Sequence, residues 1–144
     1  SIPKQQGDPI IMCEKPVIRV AVAVIRDEGR FIIARRDEKG KLASQWELPG
    51  GSVHEGVSLE EGLKDHLAKR FNLDVVVGDK LGTSNYDYDF GTVQLTAFYV
   101  ECISKKLKLS QHLAYRWTRL NMLKDFEIVH SAMPIIELLK QQMN

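Results

Sequence analysis

Apolar residues in this chain change spacing several times, and each change marks an element. Val17 to Ile25 is rich in Val and Ile and reads as a strand. Asp27-Glu28-Gly29 interrupts it with turn residues, and Phe31 to Ala34 returns as a second strand, giving a hairpin. Asp37 to Ser44 is a polar loop containing Gly40, and Trp46 to Leu48 is a short strand broken by Pro49-Gly50-Gly51. The period then lengthens. Leu59, Leu63, Leu67 and Phe71 recur at every fourth position, which lines one stripe of a helix. Ser58 and Glu61 match the S-x-x-E capping box, and Asn72 stands where a left-handed C-terminal cap belongs. Gly62 inside this helix costs up to ~1 kcal/mol relative to Ala, which points to a crowded neighbour. Val75 to Ser84 and Thr92 to Ile103 form two long strands around Asp87 to Gly91, and Tyr115 to Thr118 is a short strand. Ile135 to Gln142, after Pro134, is a closing helix.

Strands dominate the middle, with one central and one terminal helix, so the pattern predicts an α+β or α/β/α layered domain with a mixed sheet. At 144 residues the chain is long enough for one domain. Residues 1–16, with Pro3, Gly7 and Pro9, are expected to be a loose arm, and 17–144 the domain. A 44% hydrophobic, 27% charged composition is that of a globular protein. Twenty basic and 19 acidic residues leave a net charge of +1, which disfavours nucleic acid as a partner. No apolar run is long enough to span a bilayer, and the first residues lack the features of a secretory signal; a cytoplasmic location is expected. Cys13 and Cys102 are far apart, match no zinc spacing, and read as small apolar filler.

The stretch from Gly50 to Leu73, together with Phe31-Ile-Ile-Ala-Arg-Arg36 and Trp46-Glu-Leu-Pro-Gly-Gly51, resembles the Nudix family and its MutT-like branch, from about Val17 to Leu139. That resemblance implies a Nudix-like α/β/α sandwich and a pocket for a nucleoside phosphate. The family pattern is G-x5-E-x7-R-E-U-x-E-E-x-G-U, where U is a bulky aliphatic. Gly51 supplies the first glycine, and Leu67 and Leu73 keep the aliphatics. The chemical positions differ. Val57 stands for the first glutamate, Asp65 and His66 for the Arg-Glu pair, Lys69 and Arg70 for the paired glutamates, and Asn72 for the last glycine. In the family those glutamates hold magnesium, a hard cation that needs oxygen ligands. Lys and Arg are donors only, with the wrong sign. The glutamate that serves MutT-like proteins before the late strand falls near Gln111, and the base-recognising Asn or Asp near Ala132.

His66, Lys69 and Arg70 neighbour one another along one edge of the apolar stripe. Two readings follow. They bind a phosphate-bearing ligand directly, or they are solvated or stem-packing side chains left by a lost activity. Gly50 and Gly51 allow backbone to approach a phosphate closely, or simply allow a tight turn. Glu47 and Glu55 are the remaining acids near the pocket, too scattered for a confident magnesium site. Arg35 or Arg36 faces the pocket, but alternation lets only one do so; by the resemblance Arg35 is the candidate. His54, His112 and His130 match no metal spacing, and Tyr86, Tyr88 and Phe90 cluster for packing or for stacking on a base. The expectation is a degenerate MutT-like protein that binds a nucleotide-like ligand, with no confident metal or cofactor. The competing classes are an active pyrophosphohydrolase using magnesium and non-standard acids, and a Nudix-fold interaction module. A homodimer is compatible with either.

Overall fold

The computed structural model describes residues 15–104 and 112–143. The expected arm, apart from its last two residues, lies outside the described residues, as do Cys13, Gln111 and the His112 side chain. The order of elements is β1 (Val17–Asp27), β2 (Arg30–Arg36), β3 (Trp46–Glu47), β4 (Gly50–Ser52), α1 (Leu59–Phe71), β5 (Asp74–Tyr88), β6 (Gly91–Ser104), β7 (His112–Thr118), two short 3-10 turns (Leu120–Asp125 and His130–Ala132) and α2 (Met133–Met143).

The sheet is mixed, as expected. β1 lies parallel to β6 from Val17/Thr92 to Ile25/Val100, and β5 continues antiparallel on the far side of β6. On its other side β1 has two successive neighbours. Its first half pairs with β4, and its end forms the hairpin with β2 through Arg26/Phe31 and Asp27/Arg30. The hairpin turns on Glu28 and Gly29, both at positive φ (51° and 78°), the geometry that matches the right-handed twist of the strands. β2 then leaves β1 and pairs with β3 and β7.

Alternation along β1 sends Ala21, Ala23 and Ile25 to one face and Val22 and Val24 to the other, and each face builds a core. The first core receives Leu63, Leu67 and Phe71 of α1, all fully buried. The second receives Ile135, Ile136 and Leu139 of α2, also buried. One helix thus covers each face, which is the expected α/β/α sandwich.

Two expectations need correction. The long strands extend past their β-branched segments, to Tyr88 and Ser104, because the β5–β6 ladder also holds polar residues such as Asn85 opposite Gln94. Pro49-Gly50-Gly51 is not only a break: Gly50–Ser52 is a strand of its own against Val20–Val22. A Cβ on Gly50 would lie 2.0 Å from the Ala21 carbonyl oxygen, so only glycine lets these backbones meet. Gly62 has the crowded neighbour its cost suggested, since a Cβ there would lie 2.6 Å from Val53 Cγ2.

Candidate functional site

The loop and helix that carry the substituted positions are fastened at both ends. Ser58 is extended (φ −67°, ψ 149°), and its Oγ accepts from the Glu61 N–H at 3.1 Å. Asn72 is left-handed (φ 56°, ψ 38°) and ends the helix, while the Leu73 N–H donates to the Leu67 carbonyl at 3.0 Å. The 54–57 loop is held from the sheet. Arg19 of β1 donates through Nη1 to the His54 carbonyl at 2.9 Å, and both its Nη atoms reach the Val57 carbonyl at 3.4 Å. Sequence reasoning missed Arg19; the available signal was a charged residue within an otherwise apolar strand.

The central contacts run between α1 and β4. His66 Nε2 lies 2.5 Å from the Ser52 carbonyl oxygen, which can only accept, so Nε2 carries the proton. Arg70 Nη1 donates to the Gly50 carbonyl at 3.3 Å. Gly51 makes room for both: a Cβ there would lie 2.7 Å from Arg70 Nη1 and 2.8 Å from His66 Nε2. The missing side chain of Gly51 therefore accommodates the chain's own His66 and Arg70 side chains.

The other candidates are placed differently. Lys69 pairs with Asp65 at 3.1 Å, and with the two side chains 74% and 57% exposed, that helical pair contributes only a few tenths of a kcal/mol. Val57 is exposed and offers no oxygen ligand from its side chain. Glu55 lies in an exposed turn. Glu47 is largely buried and accepts from Arg36 Nη1 at 2.8 Å. Glu47 is opposite Ala34 and Trp46 opposite Arg35, so alternation puts Glu47 and Arg36 on the α1 face and Arg35 on the α2 face. Arg35 Nε donates to the Ser44 carbonyl there. The structure thus gathers Gly50, Gly51, His66 and Arg70, with the Arg36–Glu47 pair on the same face, and leaves Arg35 apart.

These residues do not fit magnesium. Of the four side chains at the positions where the resemblance puts magnesium-binding glutamates, His66 and Arg70 donate to the β4 carbonyls, Lys69 pairs with a carboxylate, and Val57 carries no oxygen. Among the described residues, no group of three or more His, Cys, Asp or Glu side chains could hold a metal ion.

On the α2 face, Tyr88 and Phe90 stack at 5.0 Å, and the Tyr88 hydroxyl accepts from the Ser131 N–H at 2.9 Å. The Tyr86 hydroxyl meets His130 Nδ1 at 3.0 Å. These aromatics brace the β5–β6 hairpin against the 3-10 turn that contains buried Ala132, so contacts within the fold engage them.

A mixed sheet between two helices, with a glycine-bearing strand and loop feeding a capped helix, defines an α/β/α sandwich with its candidate site at the loop-helix. The chain belongs to the Nudix family: the family model described as NUDIX domain matches residues 20–138. A Mycobacterium tuberculosis protein named putative 8-oxo-dGTP diphosphatase 2 is 33% identical over 116 residues, covering 78% of this chain and 79% of its own. The CTP pyrophosphohydrolase of Escherichia coli is 22% identical over 121 residues, covering 84% and 90%. The crystal structure of a MutT protein from Methanosarcina mazei Go1 superposes with a TM-score of 0.81 at 30% identity, covering 90% of this chain and 96% of that one. The MutT-like resemblance read from the sequence stands.

Proposed function

We propose that this chain is a Nudix-fold protein that binds a nucleotide-like, phosphate-bearing ligand without a resident metal, and that its magnesium-dependent hydrolysis is weak or absent. The observation that supports this is the pair of bonds from His66 and Arg70 to the Ser52 and Gly50 carbonyls. At the positions where the family places magnesium-binding acids, this chain places donors that tie α1 to β4. A bound divalent ion would meet positive charge where it needs anionic oxygen. A phosphate group meets the reverse, and a guanidinium is suited to it. The relatives' names, which specify nucleotide diphosphatase and pyrophosphohydrolase activities, support a nucleotide-like ligand class.

Calorimetric titration of a nucleotide panel, with and without magnesium and with chelator, tests the reading. Binding that is unchanged by chelator, with no turnover, supports it. Binding that requires magnesium and is followed by product release overturns it in favour of a hydrolase that uses Glu47, Glu55 or other acids. Absence of binding to any nucleotide or to diphosphate overturns it in favour of an interaction module.

A further inference from the structure

β1 and β6 run side by side only as far as Ile25 and Val100. Beyond that point β1 turns into its hairpin with β2, while β6 continues to Ser104 along β5. A cleft of about 1280 Å³ opens where the two strands part, with Ile25 to Gly29 on one side and Tyr99 to Ile103 on the other. It shares no lining residue with the contacts that His66 and Arg70 make to β4. Small-molecule sites run to about 1,000 Å³, so a cleft of this size has room for a longer occupant.

The interior of the cleft is apolar. Ile25, Ile32, Leu73 and Val100 belong to the α1-side core and form the floor. Around them stand Val76, Ile103, Tyr115 and Trp117, which remain 53%, 65%, 36% and 37% exposed. Large apolar side chains left in water around one concavity mark a surface that a partner covers. Stacking is already satisfied from within the chain: the Arg26 guanidinium lies 4.1 Å from the Tyr99 ring centroid, and that of Arg30 lies 5.4 Å from the Trp117 ring centroid. The surface that remains suits aliphatic side chains better than a flat ring.

The rim is acidic, with Asp27, Glu28 and Glu101 against Arg26. Arg30 answers Asp27 at 3.7 Å, whereas Glu28 and Glu101 form no ion pair among the described residues. Carboxylates beside apolar surface favour lysine and arginine, whose stems pack on that surface while their heads meet the opposite charge.

We propose that this cleft docks a segment of a partner protein in which aliphatic side chains alternate with lysine or arginine. The aliphatic side chains cover the floor, Val76 and Ile103, and the basic ones face Glu28 and Glu101. The proposal concerns a different surface from the nucleotide reading and is tested separately from it.

The test uses the full chain and short labelled synthetic peptides, read by fluorescence anisotropy. One alternates leucine with lysine, one replaces the lysines by glutamate, and one replaces the leucines by serine. The leucine–lysine peptide should bind most tightly, with a Kd of order micromolar, and salt should weaken it. Val76→Ser/Ile103→Ser and Glu28→Lys/Glu101→Lys change exposed side chains only, so both variants should keep the parent's circular dichroism spectrum. Each should weaken the leucine–lysine peptide by about tenfold or more. Absence of binding to the parent chain, equal affinity for the lysine and glutamate peptides, or unchanged affinity in either variant overturns the proposal. Residues 105–111, which follow Ile103 and Ser104, include Lys105, Lys106, Leu107, Lys108 and Leu109. If the peptide binds only after those five are replaced by glycine and serine, the occupant is the chain's own segment and the partner reading falls. Binding to phosphatidylcholine vesicles that Val76→Ser/Ile103→Ser abolishes, with no peptide binding, would make the occupant a lipid surface and likewise overturn it.

Discussion

Arg70 reaches from the last turn of α1 to the carbonyl oxygen of Gly50, 3.3 Å away on β4. The contact ties the helix to the neck of its own loop through a positive side chain. His66, one turn earlier, donates to the Ser52 carbonyl oxygen. Together the two side chains tie α1 to β4 through hydrogen bonds to main-chain oxygens.

Hydrolysis should be slow. On the proposed metal-free reading, donors at His66 and Arg70 and a lysine at position 69 leave no metal-based clamp on the transition state, and each 1.36 kcal/mol of stabilisation forgone is about tenfold in rate. Phosphate-release assays with nucleoside triphosphates, 8-oxo-dGTP and nucleotide sugars should give kcat far below about 1 per second in magnesium. A kcat at or above that value, abolished by chelator, contradicts the prediction.

Cross-link removal should cost stability unevenly. Arg70→Ala should destabilise by about 1 kcal/mol through the orphaned Gly50 carbonyl, which lowers Tm by about 4 °C. Lys69→Ala breaks only the exposed pair with Asp65 and should stay within about 0.5 kcal/mol of the parent. Thermal melts of the two variants decide the matter: equal shifts would mean that Arg70 braces nothing.

Helix α1 should form without metal. Ser58→Ala removes the acceptor for the Glu61 N–H and should cost roughly 0.5–2 kcal/mol. Chelator should leave the melting temperature of the parent chain unchanged. A large drop on chelation would reveal a structural ion.

Gly62→Ala should destabilise the protein although alanine is the better helix former. The new Cβ meets Val53 Cγ2 at 2.6 Å, and overpacking of this kind costs about 1–3 kcal/mol against a propensity gain of up to ~1 kcal/mol. Adding Val53→Ala should recover part of the loss. A double-mutant cycle in denaturant that showed no coupling between positions 53 and 62 would refute the packing account.

Reversing the charges should abolish anion binding. The Lys69→Glu/Arg70→Glu double variant is expected to lose affinity for diphosphate, and binding to the parent chain should weaken as salt rises. Titrations at low and high ionic strength read both effects. Diphosphate affinity that survives the double substitution would mean that these side chains serve only packing and solvation.

Much of this molecule was legible along the chain, and the physics explains which part. Ser58, the leucine stripe and Asn72 specify α1 through local bonds and a local period, so the helix, its caps and its buried face could be read without knowing what they pack against. The Val- and Ile-rich run of β1 likewise announced a strand. Substitution of acids at Val57, His66, Lys69 and Arg70 was also plain, because residue type alone decides whether a side chain can bind a hard cation. Tertiary structure decided where each side chain goes. The roles of His66, Arg70 and Lys69 separate only when β4 lies against α1: two meet carbonyls, and the third turns back to Asp65. Gly51 became a clearance for those side chains, Arg19 the anchor of the loop, and Arg35 and Arg36 fell on opposite faces. Each of these depends on strands distant in sequence meeting at one register, and local propensity carries no information about that register.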